Sequence, residues 1–420
     1  MNAESDRIIA KYLIETPLAL ELAADAMAGE QSTGTFIALP GETEELQRRH
    51  GARVESVVPI SDVDDPSLSG TSTAVDSSGF HRGEVTLSFP LENVGTALPN
   101  LLATVAGNLF ELRQLSGIRL EDLILPAEFS AAHPGPQFAI EGTRKLANVY
   151  GRPIIGTIIK PSVGLTPDQT AQLAGGLATA GLDFIKDDEL MANSPHSPFE
   201  VRLHAVINRL HEVAEQTGRL AMYAANVTDE LDEMLRHVDA VAAAGGTCVM
   251  VSVNAVGITG LREVRKRSSL PIHAHRNGWG ALTRHPMLGY SFLVWQQLWR
   301  LAGVDHLHVN GLRNKFWEPD GSVLRSARAV LTPQNGGPGI MPVFSSAQSV
   351  LQASDTYAGL ASTDLMYVCG GGILAHPDGA AAGVSSIRQS WEAAMNGIAP
   401  DEYAESHIEL EHALALFRKD

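Results

Sequence analysis

The sequence predicts a (β/α)₈ barrel preceded by a smaller α+β domain, on three observations. From about Tyr150 onward, eight short apolar runs alternate with amphipathic stretches. Several of those stretches end in glycine, the residue that caps a helix in the left-handed conformation. The first 145 or so residues show no such alternation. Strand then helix, repeated over roughly 250 residues, is the barrel pattern. A doubly wound open sheet is the alternative, since periodicity alone does not close a barrel.

In chain order, "LIETPLALELAADAMAG" reads as a helix and "STGTFIAL", "ARVESVVPI" and "RGEVTLSFP" as strands. "NLLATVAGNLF" reads as a second helix, and the Ser-rich "PSLSGTSTAVDSSGF" as a mobile loop. These make an N-terminal domain, 1–145, and a barrel with C-terminal helices, 146–420. The barrel strands are "PIIGTIIKPS", "LDFIKDDE", "LAMYAANV", "TCVMVSVN", "PIHAHR", "VDHLHVNG", "MPVFSS" and "LMYVCGGG". Between most of them lie helical patterns, among them "PDQTAQLAGGLATAG", "PFEVRLHAVINRLHEVAEQTG" and "PMLGYSFLVWQQLWRLAG".

Composition excludes several functions. Of 420 residues, 31 are basic and 48 acidic, a formal charge of −17 that repels nucleic acid and anionic membrane. The start, "MNAESDRIIAKYLIETP", lacks the apolar core of a secretory signal, and no run of about 20 apolar residues offers a membrane span. Cys248 and Cys369 sit in apolar runs and read as buried, reduced thiols of a cytoplasmic protein.

Chemistry in a barrel gathers where strands end at the C-terminal face. Polar residues fall there strand by strand: Lys160; Lys186, Asp188 and Glu189; Asn226; Ser252 and Asn254; His273, His275 and Arg276; His306 and His308; Ser345 and Ser346; Gly370, Gly371 and Gly372. A lone histidine at a strand end more often serves structure, but eight coincidences at one rim point to an active site. In "GLDFIKDDEL" a lysine precedes three acids. Asp and Glu supply the hard oxygen ligands that Mg²⁺ prefers. A neutral lysine amine that adds CO₂ becomes a carbamate and a third such oxygen, whereas a protonated one makes an ordinary ion pair. Both readings stand on spacing alone. "CGGGILAHPDG" is a glycine-rich turn into a helix, able to hold a phosphate on backbone N–H groups or merely to turn tightly. Arg276, His308 and Ser345 could form a second anion site.

These residues resemble a known family. "GTIIKPSVGL", "GLDFIKDDE", "YAANVT", "IHAHR", "DHLHVNG" and "GGGILAHPDGAAAG" follow the order of the RuBisCO large subunit, and "STGTF" and "VAGNLFELRQLSGIRLEDL" extend the likeness into the first half. The resemblance implies a ferredoxin-like α+β domain before a (β/α)₈ barrel. It also implies a homodimer, or a higher assembly built from it, in which Glu30, Thr35 and Asn108 complete the partner's site. It makes Lys186 the carbamylated ligand of Mg²⁺, with Asp188 and Glu189, and leaves Asp187 pointing outward. Lys160 then handles protons near an enediolate, and His275 is an active-site histidine. Arg276, His308 and Ser345 match one phosphate group, and Thr35, Gly371 and Gly372 the other. Lys315 matches the mobile-loop lysine.

The departures matter as much. Ser162 replaces a second lysine, "NGLRNKFWEPDG" replaces the family loop around Lys315, Phe36 replaces a tryptophan, and Ala347 stands where a glycine approaches the phosphate. The chain is therefore similar to the RuBisCO-like (form IV) group rather than to CO₂-fixing members. That group enolises phosphorylated oxo-sugars, and Asn108 stands where the methionine-salvage enolases place a lysine base. The resemblance favours an oxo-acid sugar phosphate, for example in a 3-oxo-isoapionate 4-phosphate transcarboxylase/hydrolase. The alternatives are a methylthio-ketose phosphate enolase or isomerase, a divergent carboxylase, and a non-catalytic sugar-phosphate binding protein.

Overall fold

The computed structural model describes residues 6–34, 39–71 and 79–418. Two compact units divide it: one holds the chain to Pro134 together with Gly278–Leu301, the other Gly135–Asn277 with Ala302 onward.

The first unit is built on a five-stranded sheet of β1 (Arg7–Thr16), β2 (Arg53–Val63), β3 (Phe80–Pro90), β4 (Gly117–Ile124) and a late strand, Leu288–Tyr290. β1 lies between β3 and β4, antiparallel to both. Its Ile8, Ala10, Tyr12 and Ile14 are buried at alternate positions, the two-residue period of a half-buried strand. This corrects the helix expected over "LIETPLALELAADAMAG". Pro17 divides the stretch, and only Leu20–Glu30 is helical. β4 was not foreseen, and half of the strand expected at "STGTFIAL", Thr35 to Ala38, lies outside the described residues, as does about half of the Ser-rich loop. "LGY" in "PMLGYSFLVWQQLWRLAG" is not helical either. It pairs parallel with β4, and the helix begins only at Phe292.

The second unit is a closed barrel of eight parallel strands. They are β5 (Ile154–Ile158), β6 (Phe184–Lys186), β7 (Met222–Asn226), β8 (Cys248–Ser252), β9 (Ile272–His275) and, after the late strand β10 of the other sheet, β11 (His306–His308), β12 (Met341–Phe344) and β13 (Met366–Val368). β13 pairs with β5 and closes the ring, which removes the open-sheet alternative. Phe184, Met222, Met250, Met341, Val343 and Met366 pack in one core cluster, so the barrel is filled rather than hollow. The first helix after β5, Pro167–Thr179, starts at a Thr166–Gln169 capping box, and Gly218 caps Phe199–Thr217 at φ +72°.

Two aspartates tie the N-terminal ends of the strands. Asp183 accepts Ile155 N–H and pairs with Arg152, Arg219 and Arg388. Asp305 accepts Ile272, Phe138 and Ala139 N–H and pairs with Arg265 at 3.0 Å. The helix Ala139–Ala147 thus belongs with the barrel, held also by Thr143 on His306 at 2.9 Å. Cys248 and Cys369 are buried free thiols, and burial raises both. No helix among the described residues is long and apolar enough to cross a membrane.

Candidate active site at the barrel mouth

Closure places the last residues of the strands around one mouth. Lys186, Asn226, Ser252, His275 and His308 end β6, β7, β8, β9 and β11, while Lys160 and Ser345 lie just past β5 and β12. His273 and His306 do not belong to this rim. They sit near the N-terminal ends of their strands, paired across the ladder, with their rings against Phe184 inside the barrel. The two-residue pleat explains the error: His273 and His275 share a face but not a depth.

Lys186 is 1% exposed, and its Nζ lies 2.6 Å from the Asp187 carbonyl and 3.9 Å from Glu189. Burial lowers its ammonium to about 8, against the raising pull of Glu189, Asp188 and Asp187. The two acids that follow serve different ends. Asp187 is buried against Arg202 (3.6 Å), accepts Tyr223 O–H and takes Asn226 N–H at 3.0 Å, so it anchors the strand end. Asp188 is bonded by Lys160 Nζ and by Leu190 N–H at 3.0 Å. Burial alone would raise its carboxyl, but these partners hold it below the usual range. The Asn226 amide donates to the Met191 carbonyl at 3.1 Å and braces the 187–191 turn.

His275 Nδ1 accepts Asn277 N–H at 3.4 Å, which leaves the proton of the neutral ring on Nε2, facing Glu189 at 3.5 Å. Burial, with the Lys186 charge, pushes this histidine down to about 4, which favours the neutral imidazole. His308 packs on His275 with ring centroids 4.5 Å apart. Its Nδ1 meets Ser345 Oγ at 3.0 Å and its Nε2 meets His273 at 2.8 Å. Arg276 is buried and pairs with Glu318, a partner that lies in the loop after β11 and that sequence reasoning missed. An acid in the loop that carries Lys315 was the available signal.

Gly371 and Gly372 differ. A Cβ on Gly372 would stand 2.3 Å from the Gln348 carbonyl, so packing requires that glycine. A Cβ on Gly371 would meet nothing within 4 Å, so its main chain is open to a ligand. Ala347 keeps a left-handed turn at φ +60°, beside Ser346 at +72°. Lys315 is exposed, its Nζ 5.3 Å from the Phe316 ring. Glu30 and Asn108 meet within the first unit, with Asn108 Nδ2 donating at 3.1 Å, whereas Thr35 and Phe36 lie outside the described residues.

Among the described residues no three His, Cys, Asp or Glu side chains converge on a metal position. Asp188 and Glu189 offer two carboxylates, and a third protein oxygen would have to come from a modified Lys186. A buried amine titrating near 8 suits that modification, so the residues present fit the group.

Fold and site define a (β/α)₈-barrel protein whose mouth gathers lysines, carboxylates and neutral histidines. Residues 139–417 match the catalytic domain of the ribulose bisphosphate carboxylase large chain, and residues 1–129 match its N-terminal domain. The chain belongs to the RuBisCO large-chain family. It is 52% identical to a 3-oxo-isoapionate-4-phosphate transcarboxylase/hydrolase of Xanthobacter autotrophicus, over 99% of this chain and 100% of that one. It is 47% identical to a 3-oxo-isoapionate-4-phosphate decarboxylase of Rhizobium etli, over 97% of each. A crystal structure of a rubisco-like protein from Burkholderia fungorum superposes with a TM-score of 0.91 at 45% identity, covering 98% of this chain and 99% of that one.

Proposed function

We propose that this protein is a Mg²⁺-dependent enzyme of 3-oxo-isoapionate 4-phosphate, acting as a transcarboxylase/hydrolase. The end-to-end 52% identity to the enzyme so named carries the choice of substrate. The metal site would be a carbamate on Lys186 with Asp188 and Glu189, and Mg²⁺ there supplies Lewis acidity for charge on the oxo oxygen. A 3-oxo acid has its ketone β to the carboxylate. When the bond to the carboxyl carbon breaks, the electron pair it leaves is delocalised onto that ketone oxygen. The freed CO₂ then bonds to the former ketone carbon, and the neighbouring hydroxyl-bearing carbon becomes the ketone. Water cleaves the bond between those two carbons to give two carboxylic acids.

The chain's own residues have distinct parts in this. Lys160, hydrogen-bonded to Ser162 and Asp188, would hold or deliver a proton at the carbon next to the oxo group. The Nε2–H of neutral His275 faces the same space and can donate to a developing oxyanion without carrying a competing charge. The main chain at Gly371 is open to the phosphate. Lys315, on its exposed loop, would come over the reacting carbon as that loop closes. Glu30, Thr35 and Asn108 would reach the site from the partner of a homodimer, and the substrate and setting are those of a cytoplasmic enzyme.

The test is purified protein with Mg²⁺, bicarbonate and substrate labelled with ¹³C at the carboxyl. Transcarboxylation with hydrolysis keeps the label in an organic product, whereas decarboxylation releases it as CO₂. No Mg²⁺-dependent consumption of substrate would overturn the proposal.

A further inference from the structure

Arg276, His308 and Ser345 could form an anion site, but the Nη2 of Arg276 is already paired with Glu318. The Glu318 carboxylate is itself buried, at 6% exposure, and well bonded. Its Oε2 accepts from Arg276 and from Asn310 Nδ2 at 2.7 Å, and its Oε1 accepts Ser322 O–H at 2.9 Å. Asn314 holds the Glu318 carbonyl at 3.0 Å. A buried carboxylate with this many donors is built into its position, because an unpaired one would be strongly disfavoured there. A phosphate brought to Arg276 would lie beside that carboxylate, and like charges in a buried site repel strongly.

We propose that Glu318 is a specificity-determining residue that makes this end of the site accept an uncharged, hydroxylated carbon and reject a phosphate. Resting on the reading that Arg276, His308 and Ser345 face the substrate, this narrows the substrate class to monophosphates. The single phosphate is held elsewhere in the mouth, and the other end is a hydroxyl that can donate to Glu318 and accept from Ser345. The carboxylate on the loop after β11 thus does by charge what a narrower pocket would do by shape.

The probes are ribulose 1,5-bisphosphate and ribulose 5-phosphate, titrated by calorimetry into the Mg²⁺- and bicarbonate-treated protein. The wild type should bind the monophosphate at least as tightly as the bisphosphate. Glu318→Gln keeps the size and an acceptor for Arg276 and Asn310 but removes the charge. It should tighten bisphosphate binding about tenfold or more relative to the monophosphate. Adding Arg276→Ala should abolish the gain. A wild type that prefers the bisphosphate overturns the proposal even if the variant does not fold, and so does a folded Glu318→Gln with no gain. Neither probe needs turnover, so failure to consume 3-oxo-isoapionate 4-phosphate would remove the proposed reaction and leave this result standing.

Discussion

Lys160 Nζ donates to Ser162 Oγ at 2.7 Å, two residues along the chain. Ser162 in turn donates to Asp188 at 3.1 Å, so the serine adds a bridge beside the direct Lys160–Asp188 pair. Its loss should leave Lys160 with fewer restraints at the reacting carbon. Ser162→Ala should lower kcat about tenfold with KM little changed, because misplacement of a reacting group acts on the chemical step. Unchanged steady-state kinetics would show that the bridge has no role in catalysis.

Lys186 and the three acids after it should be indispensable, but not all for one reason. Lys186→Ala, Asp188→Ala and Glu189→Ala should each reduce turnover below about a thousandth of wild type, and exhaustive chelation should do the same to the unaltered protein. Asp187→Ala should act differently, by unfolding, since Arg202 and Tyr223 would lose their buried acceptor. Thermal melts beside activity assays separate the two kinds of loss. A chelated, fully active Lys186→Ala protein would contradict the metal assignment.

Activation by CO₂ should rise with pH through about 8. The Lys186 ammonium is lowered from 10.5 to that value in the folded protein. The amine is then roughly one-tenth neutral at pH 7 and nine-tenths at pH 9. Because the folded value lies below the unfolded one, the unfolded chain binds the extra proton between these limits. The stability cost of burying Lys186 is therefore full below about pH 8 and disappears as pH rises toward 10.5. Pre-incubation with bicarbonate and Mg²⁺ at a series of pH values, then assay at one pH, measures the activation directly. A flat response between pH 7 and 9 would mean that the amine is not the activating group.

Sharing of the site between two chains is open to a mixing experiment. Asn108→Ala and Lys186→Ala, each inactive alone, should restore up to about half the sites of a mixed dimer after subunit exchange, since one site then inherits neither change. Demonstrated exchange with no recovery would place both residues in the same chain's site.

The turn after β12 offers a stability test apart from catalysis. Ala347 is exposed and holds φ at +60°, where an alanine costs about 1–2 kcal/mol. Ala347→Gly relieves that cost and gives back part of it as unfolded-chain entropy, so the protein should gain about 0.5–1 kcal/mol. Denaturant melts would show it as a higher midpoint at unchanged slope. A lower midpoint would mean that the alanine methyl makes a contact worth more than the strain.

Much of the barrel was legible before folding. A strand-then-helix period repeats locally, and the last residue of each apolar run lies at the strand end that forms the mouth, so Lys186, Asn226, His275 and His308 could be named in order. The first unit was less legible. β1 merged with the helix after Pro17 in an apolar stretch, and Leu288–Tyr290 left the barrel to pair with β4, a partner about 170 residues earlier in the chain.

The sequence by itself determined the period, the helix caps, the net charge and the presence of Lys186 beside Asp188 and Glu189, because each is set by neighbours along the chain. Only the tertiary structure decided depth and partnership. It put His273 and His306 inside the barrel, turned Asp187 to Arg202 and Tyr223, and brought Glu318 to Arg276 across 42 residues. The physical reason is that backbone propensity and side-chain period act over a few residues. Which charges meet, and what water they lose, depends on how the strands close and where each loop returns.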